Sequence, residues 1–419
     1  ALSDIRKNSP LLKGEWALAL QWPNGYVLAA ADRMRTIPLF YAIKNNSFLL
    51  ASDIEEIQKK FNFYEINEES ELELLLCGYI TGKETVFKNI CKIQSGEIIE
   101  YDPALGSPNI EVNRYYRFFP TGYSFDSEFQ LENELVNVLD TIFNRFLSRY
   151  KKGRVIVPLS GGLDSRLVAA MLKRHGVDDA LCFTYGAPQW KEVQISQQVA
   201  KALGYEWCFI AYSRNMWAES MKSPEMKDYL AYACKGTSLP HLQDFPAVIH
   251  IMDHYPHVTN PLFFPGHSAD MLAGSHIPQN YNALQSFDVS VEDMILLRHY
   301  NLKYNENYLS MDFIKEKVMR TVFIDEWKSN PVACFEMWDA ENRQSLYIVN
   351  SVRVYEFVGA RWRTLWDYDL MDFFLKVPTH YRYQKKLYVN TLYNHIFIDK
   401  AESLKKISVH KVKRKANMK

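Results

Sequence analysis

The chain has 419 residues, 47% hydrophobic and 14% aromatic, with 49 basic against 49 acidic side chains and so no formal net charge. That length exceeds one ordinary core and sets an expectation of two domains, while the charge balance excludes a strong pull toward nucleic acid or an acidic membrane surface. No apolar run reaches the roughly 20 residues that cross a bilayer, and no basic-then-apolar leader opens the sequence, so the expected setting is cytoplasmic, with no membrane and no nucleic-acid partner.

The first hundred residues read as β-rich. Apolar runs at Trp16 to Trp22, Tyr26 to Ala31 and Phe48 to Ala51 are divided by the turn signals Pro23-Asn24-Gly25 and Asn45-Asn46-Ser47. Leu72 to Leu76 suggests a short helix and Glu97 to Tyr101 a last strand, ahead of a stretch punctuated by Pro103, Gly106, Pro108, Pro120 and Gly122. A long helix is expected behind an Asp126-Ser127 cap, from the helical spacing of Phe129, Leu131, Leu135, Leu139, Ile142, Phe143, Phe146 and Leu147. Three strand-like runs follow, Arg154 to Leu159, Leu181 to Tyr185 and Tyr205 to Tyr212. They alternate with helical stretches Leu163 to Arg174 and Lys191 to Leu203, each followed by a capping glycine, Gly176 and Gly204. Such alternation predicts a doubly wound parallel sheet, an α/β fold with a mostly helical C-terminal part.

The six cysteines are scattered without a CxxC pair and read as reduced core residues. The i, i+4 histidines within His250 to His257 raise a metal reading, but the glutamate of HExxH is missing and an ordinary helix end is favoured. The lysine-rich tail Lys405 to Lys419 reads as a solvated end.

The string Leu159-Ser160-Gly161-Gly162-Leu163-Asp164-Ser165 stands where a strand ends and a helix begins. Adjacent glycines let backbone approach a ligand, the serines offer hydroxyls, and the helix N-terminus presents unpaired N–H groups toward an anion. A lone SGG would be a glycine turn with a capping aspartate. The whole string at such a junction instead suits a phosphate chain, and Asp164 would repel bare phosphate, which implies Mg²⁺ between them. The lysine of the Walker loop is absent.

SGGLDS resembles the signature of the PP-loop ATP pyrophosphatases (adenine nucleotide α-hydrolase-like fold), and the chain is similar to the asparagine synthetase family, including its β-lactam synthetase and peptide-cyclase relatives. The resemblance implies ATP and Mg²⁺ as cofactors, with Leu159 to Ser165 and Gly266 at the phosphates and Tyr185-Gly186 at adenine or ribose. It also implies Asp164 and Asp270 as metal carboxylates, Asp270 lying within Gly266-His267-Ser268-Ala269-Asp270 where the family has G-E-G-A-D-E. His267 and Met271 depart from that pattern, which puts aspartate in doubt as the acid. A lysine in the segment from Leu365-Trp366-Asp367 to Lys385-Lys386 would stabilise charge on the acyl-adenylate, with Lys386 the first candidate and Lys385 the second. Arg361, Arg363, Asp367 and His267 are weaker substrate-binding candidates, the two arginines being equally suited to pairing with Asp367.

Residues 12–102 resemble the second half of the family's Ntn glutaminase domain, through Lys13 to Ala19, Ala31-Asp32-Arg33 with Pro38 to Tyr41, and Thr85 to Ile90; Arg35 replaces the usual glycine. The catalytic cysteine of that domain would lie upstream, so the Ntn domain is expected to be incomplete, with an apolar sheet face left open or closed differently. The expected organisation is an Ntn-like domain at 1–110, a linker at 111–125 and the ATP-binding synthetase domain at 126–419. The expected function is an ATP-dependent amide-forming ligase that adenylates a carboxylate, a non-aspartate acid such as a sugar acid, and transfers nitrogen from ammonia or an amine, with glutamine as the source through a missing or separate glutaminase part. The alternatives are intramolecular amide formation, as in β-lactam synthesis, and an ATP-binding pseudo-enzyme.

Overall fold

The structure, a computed structural model, describes residues 8, 11–105, 110–150, 153–255, 259–279, 281–282, 286, 290–302, 312–322 and 330–409. His257 and the tail beyond residue 409 lie outside them.

The chain divides into two compact units that cut across the expected boundary. The first comprises Ala1–Thr121, Leu230–His241 and His276–Arg353. Its larger sheet has the order β1 (Ala17–Gln21), β2 (Val27–Ala31), β6 (Glu97–Tyr101), β7 (Ile110–Arg114), all antiparallel. Glu97 to Tyr101 is therefore not the last strand of the region. A three-stranded sheet has the order β4 (Ser47–Ala51), β3 (Phe40–Lys44), β5 (Cys91–Lys92). Asn45 and Asn46 make its hairpin, both at positive φ (47° and 58°), which a two-residue turn matched to strand twist requires and asparagine tolerates.

Alternation sets the layers. Ala29, Ala31 and Ile99 of the larger sheet pack on Leu39, Tyr41 and Ile93, so the sheets share a core. The reverse face of β2, Leu28 and Ala30, is covered by Trp16, Leu18, Trp22, Tyr26 and Tyr115. These covering side chains are themselves only partly buried.

The later segments join this unit through backbone bonds and buried charge, which a linear boundary cannot express. Ile80 and Val86 donate to the carbonyls of Thr237 and Gly236 (2.9 and 2.8 Å). Arg353 donates to the Thr36 carbonyl at 2.6 Å. Fully buried Glu73 accepts from Thr81, Tyr300 and Lys317 (2.7, 2.9 and 2.7 Å).

The second unit comprises Gly122–Tyr229, Leu242–Ser275 and Val354–Lys419. Its helix Glu128–Arg149 begins at a capping box, Ser127 with Gln130. Five parallel strands form the order β10 (Glu206–Ala211), β9 (Leu181–Gly186), β8 (Val155–Pro158), β11 (Leu262–Phe263), β12 (Arg361–Trp362). From β8 the chain winds outward through β9 and β10, then returns to β8's other side. That reversal makes the end of β8 a topological switch point, where open α/β sheets bind ligands. The helices Leu163–Arg174 and Lys191–Leu203 have the bounds their sequence pattern predicts, and Gly204 caps the second in the left-handed region. Buried Arg166 holds the far end of the described chain through the carbonyls of Ile407 and Ser408 (2.9 and 2.8 Å).

Candidate active site

The loop after β8 is aimed by its neighbours. Leu159 N–H donates to Phe183 of β9 at 2.8 Å, and the Thr184 hydroxyl lies 2.5 Å from the Leu159 carbonyl. Within the loop, Ser160 N–H donates to the Ser165 hydroxyl (3.0 Å), the two hydroxyls lie 2.9 Å apart, and Gly162 N–H donates to Ser160 Oγ (3.2 Å). Gly161 N–H donates to Glu192 Oε1 at 3.3 Å. Gly162 opens the Leu163–Arg174 helix with no side-chain cap, so the first-turn N–H groups face outward as an anion site. Gly266, after β11, lies against this turn. A Cβ there would sit 2.5 Å from Ser165 N and 2.6 Å from Asp164 C, so only glycine permits the approach.

Asp164 leaves the first turn half-buried and accepts from the Tyr388 hydroxyl at 2.8 Å. Burial and the nearby Asp270 push its carboxyl up to about 7, against the pull of Lys385 and the Tyr388 hydrogen bond. Asp270 is set by Ser275, whose hydroxyl donates to Oδ2 at 2.9 Å. Two carboxylates that repel one another beside an anion loop fit a divalent cation between them. Among the described residues no cluster of three or more His, Cys, Asp or Glu forms a protein-only cage. The two carboxylates Asp164 and Asp270 would suit Mg²⁺, which takes one or two carboxylates and completes its shell with phosphate oxygens and water.

The adjacent lysines separate. Lys386 pairs with Glu128 at 2.8 Å on the surface, whereas it is Lys385 whose charge acts on Asp164. Gln384 and Lys385 are consecutive residues in the left-handed region (φ 53° and 61°), a strained turn that starts the Lys386–Thr391 helix carrying Tyr388. Lys386, the first candidate by sequence, is thus turned away, because that helix start points successive side chains in different directions.

At the end of β9, the Tyr185 hydroxyl donates to Asp244, which Tyr355 also contacts at 3.1 Å, and the Tyr185 ring stacks on Tyr212 with centroids 4.9 Å apart. Burial beside Asp244 pushes the Tyr185 phenol far up, so it stays neutral. Gly186 adopts φ 130°.

Four weaker candidates fare differently. His267 stacks on Trp366 at 6.4 Å, next to Gly266. Arg361 pairs with Leu262, which pairs with Val155, the first residue of β8; the loop follows the last, Pro158. Arg361 therefore lies at the opposite end of the sheet, over the Tyr150 ring at 4.6 Å. Arg363 reaches the Trp362 carbonyl (2.9 Å) and the Phe146 ring (5.8 Å). Asp367 caps the Tyr368–Lys376 helix and pairs with Arg145, not with either of these arginines. His250 and His254 stack at 4.1 Å on a helix end. Tyr388, Ser275 and Glu192 carry no signal in the sequence, because their partners Asp164, Asp270 and Gly161 lie 224, 5 and 31 residues away.

A glutamine amidotransferase domain model matches residues 7–116, and an asparagine synthase model matches residues 150–228. In that order, the two matches support an asparagine synthetase-family protein. No curated protein matches the chain. Among solved structures, one similar to it is the glutamine phosphoribosylpyrophosphate amidotransferase from B. subtilis complexed with ADP and GMP, at 11% identity and TM-score 0.19. The match covers 64% of this chain and 51% of that one, so the chain spans about half of that relative's length. Another is the glutamine-dependent NAD+ synthetase from Acinetobacter baumannii in complex with ADP, at 11% identity and TM-score 0.24, covering 79% of this chain and 82% of that one. No helix among the described residues is long and apolar enough to cross a membrane.

Proposed function

We propose that the chain is an ATP-dependent carbon–nitrogen ligase that activates a carboxylic acid as its adenylate and passes it to a nitrogen nucleophile. The observation that carries this reading is Asp164 on the first turn of an uncapped helix, beside Asp270 and held by Tyr388. The first-turn N–H groups and the serine hydroxyls bind the β- and γ-phosphates. Asp164 and Asp270 would hold Mg²⁺, which supplies charge neutralisation on the leaving pyrophosphate. A substrate carboxylate oxygen attacks the α-phosphorus, the bond to the pyrophosphate oxygen breaks, and pyrophosphate departs. The nitrogen nucleophile then attacks the acyl carbon, loses a proton and expels AMP, while Lys385 stabilises the negative charge that develops.

His267, where the family has glutamate, with the Trp366 face beside it, favours an acid other than aspartate, such as a sugar acid. Nitrogen comes from ammonia, delivered from glutamine, and the reaction is cytoplasmic. The test is product analysis with a panel of carboxylic acids and ammonia. AMP and pyrophosphate in equal amounts, dependent on the acid, support the reading, whereas ADP and phosphate would exclude it. AMP release from an amine-bearing acid without ammonia would turn it toward intramolecular closure.

A further inference from the structure

Trp190 stands exposed beside the loop, with 52% of its surface accessible. Its backbone starts the Lys191–Leu203 helix: Trp190 N–H donates to the Ala187 carbonyl (3.0 Å), and Val193 N–H returns to the Trp190 carbonyl (3.1 Å). The indole rests on Gly186, the last residue of β9, where a Cβ would lie 2.6 Å from ring atoms Cε3 and Cζ3. No other residue at 186 leaves the ring there, and Gly186 also holds a φ of 130° that L side chains avoid. Two residues after Trp190, Glu192 accepts from Gly161 N–H, so the same first turn that fixes the indole also touches the loop. β9 is the immediate neighbour of β8, and parallel pairing brings their carboxyl ends to one edge.

An exposed indole gains little from packing, yet this one is seated on a glycine whose backbone conformation and clearance exclude other residues, beside an anion site. We infer that Trp190 is the stacking platform for the nucleobase of the bound nucleotide, a role that rests on the ATP reading above. The loop takes the phosphates, and a flat apolar face takes the base, which binds by stacking. Trp190 thus acts on binding of the nucleoside part and leaves the phosphates alone.

The test is calorimetric titration of MgATP and of magnesium tripolyphosphate into the wild type, Trp190→Ala and Trp190→Phe. The expected result is an ATP affinity weakened roughly tenfold in Trp190→Ala, tripolyphosphate affinity unchanged, and most of the ATP affinity kept in Trp190→Phe. Unchanged ATP affinity in Trp190→Ala would overturn the assignment, and so would an equal loss for both ligands. A wild type that binds neither ligand overturns the ATP reading itself and this role with it.

Discussion

Lys385 and Lys386 are neighbours in sequence with opposite surroundings, and substitutions should separate them. Lys385→Ala is expected to lower turnover by about 10²-fold or more, the scale of losing one charge stabiliser in a reaction site. Lys386→Ala, which loses only a surface pair with Glu128, should leave turnover near the wild-type value in the same steady-state assay. The sequence narrowed this to two lysines and ranked Lys386 first, whereas the left-handed turn at Gln384-Lys385 decides which of them faces Asp164. His299 sits buried against Trp338 (ring centroids 4.8 Å), and burial pushes its imidazole down to about 3. The unfolded chain takes up that proton near pH 6.5, and the folded one only near 3. Stability is therefore whole above pH 6.5 and falls as pH drops through that window, by on the order of a few kcal/mol at its foot. Urea midpoints at pH 7 and pH 4.5 should differ more in the wild type than in His299→Leu, and an equal difference would remove His299 from the account.

At the level of elements, β8, its loop and the helix after it were legible because each has its own local signal: an apolar run, a glycine pair, and helical spacing to Arg174. Gly266 shows where such signals stop. The Gly266-to-Asp270 string marks the residue, but its need for glycine comes from Asp164 and Ser165, about a hundred residues earlier in the chain, and no local pattern gives that reason. Gly266→Ala should cost about 1–3 kcal/mol in urea unfolding, since the added carbon meets backbone that can yield only by moving the loop, and should weaken MgATP binding as well. A substitution neutral in both measurements would show that the two segments do not meet as described. Arg361 is displaced for a related reason. The pairing of β12 with β11 fixes which end of the sheet it occupies, and a two-residue strand carries no periodicity from which to read it.

For the whole molecule, the sequence supported two domains but drew them contiguously. Segments 230–241 and 276–353 instead belong with the first 121 residues, tied by backbone bonds at Ile80 and Val86 and by the buried Glu73–Lys317 pair. A fragment of residues 126–419 should therefore fail to give a cooperative unfolding transition, since it leaves Lys317 without Glu73 and Arg353 without the Thr36 carbonyl. Circular dichroism melting of the fragment checks this. The central claim is that the Asp164 loop activates an acid at the α-phosphorus of ATP. Isotope exchange between pyrophosphate and ATP, measured across a panel of carboxylic acids for the wild type and Asp164→Ala, tests it most directly. Exchange should require a particular acid and be lost in Asp164→Ala, whereas exchange undiminished in that variant would show that the loop does not activate the acid.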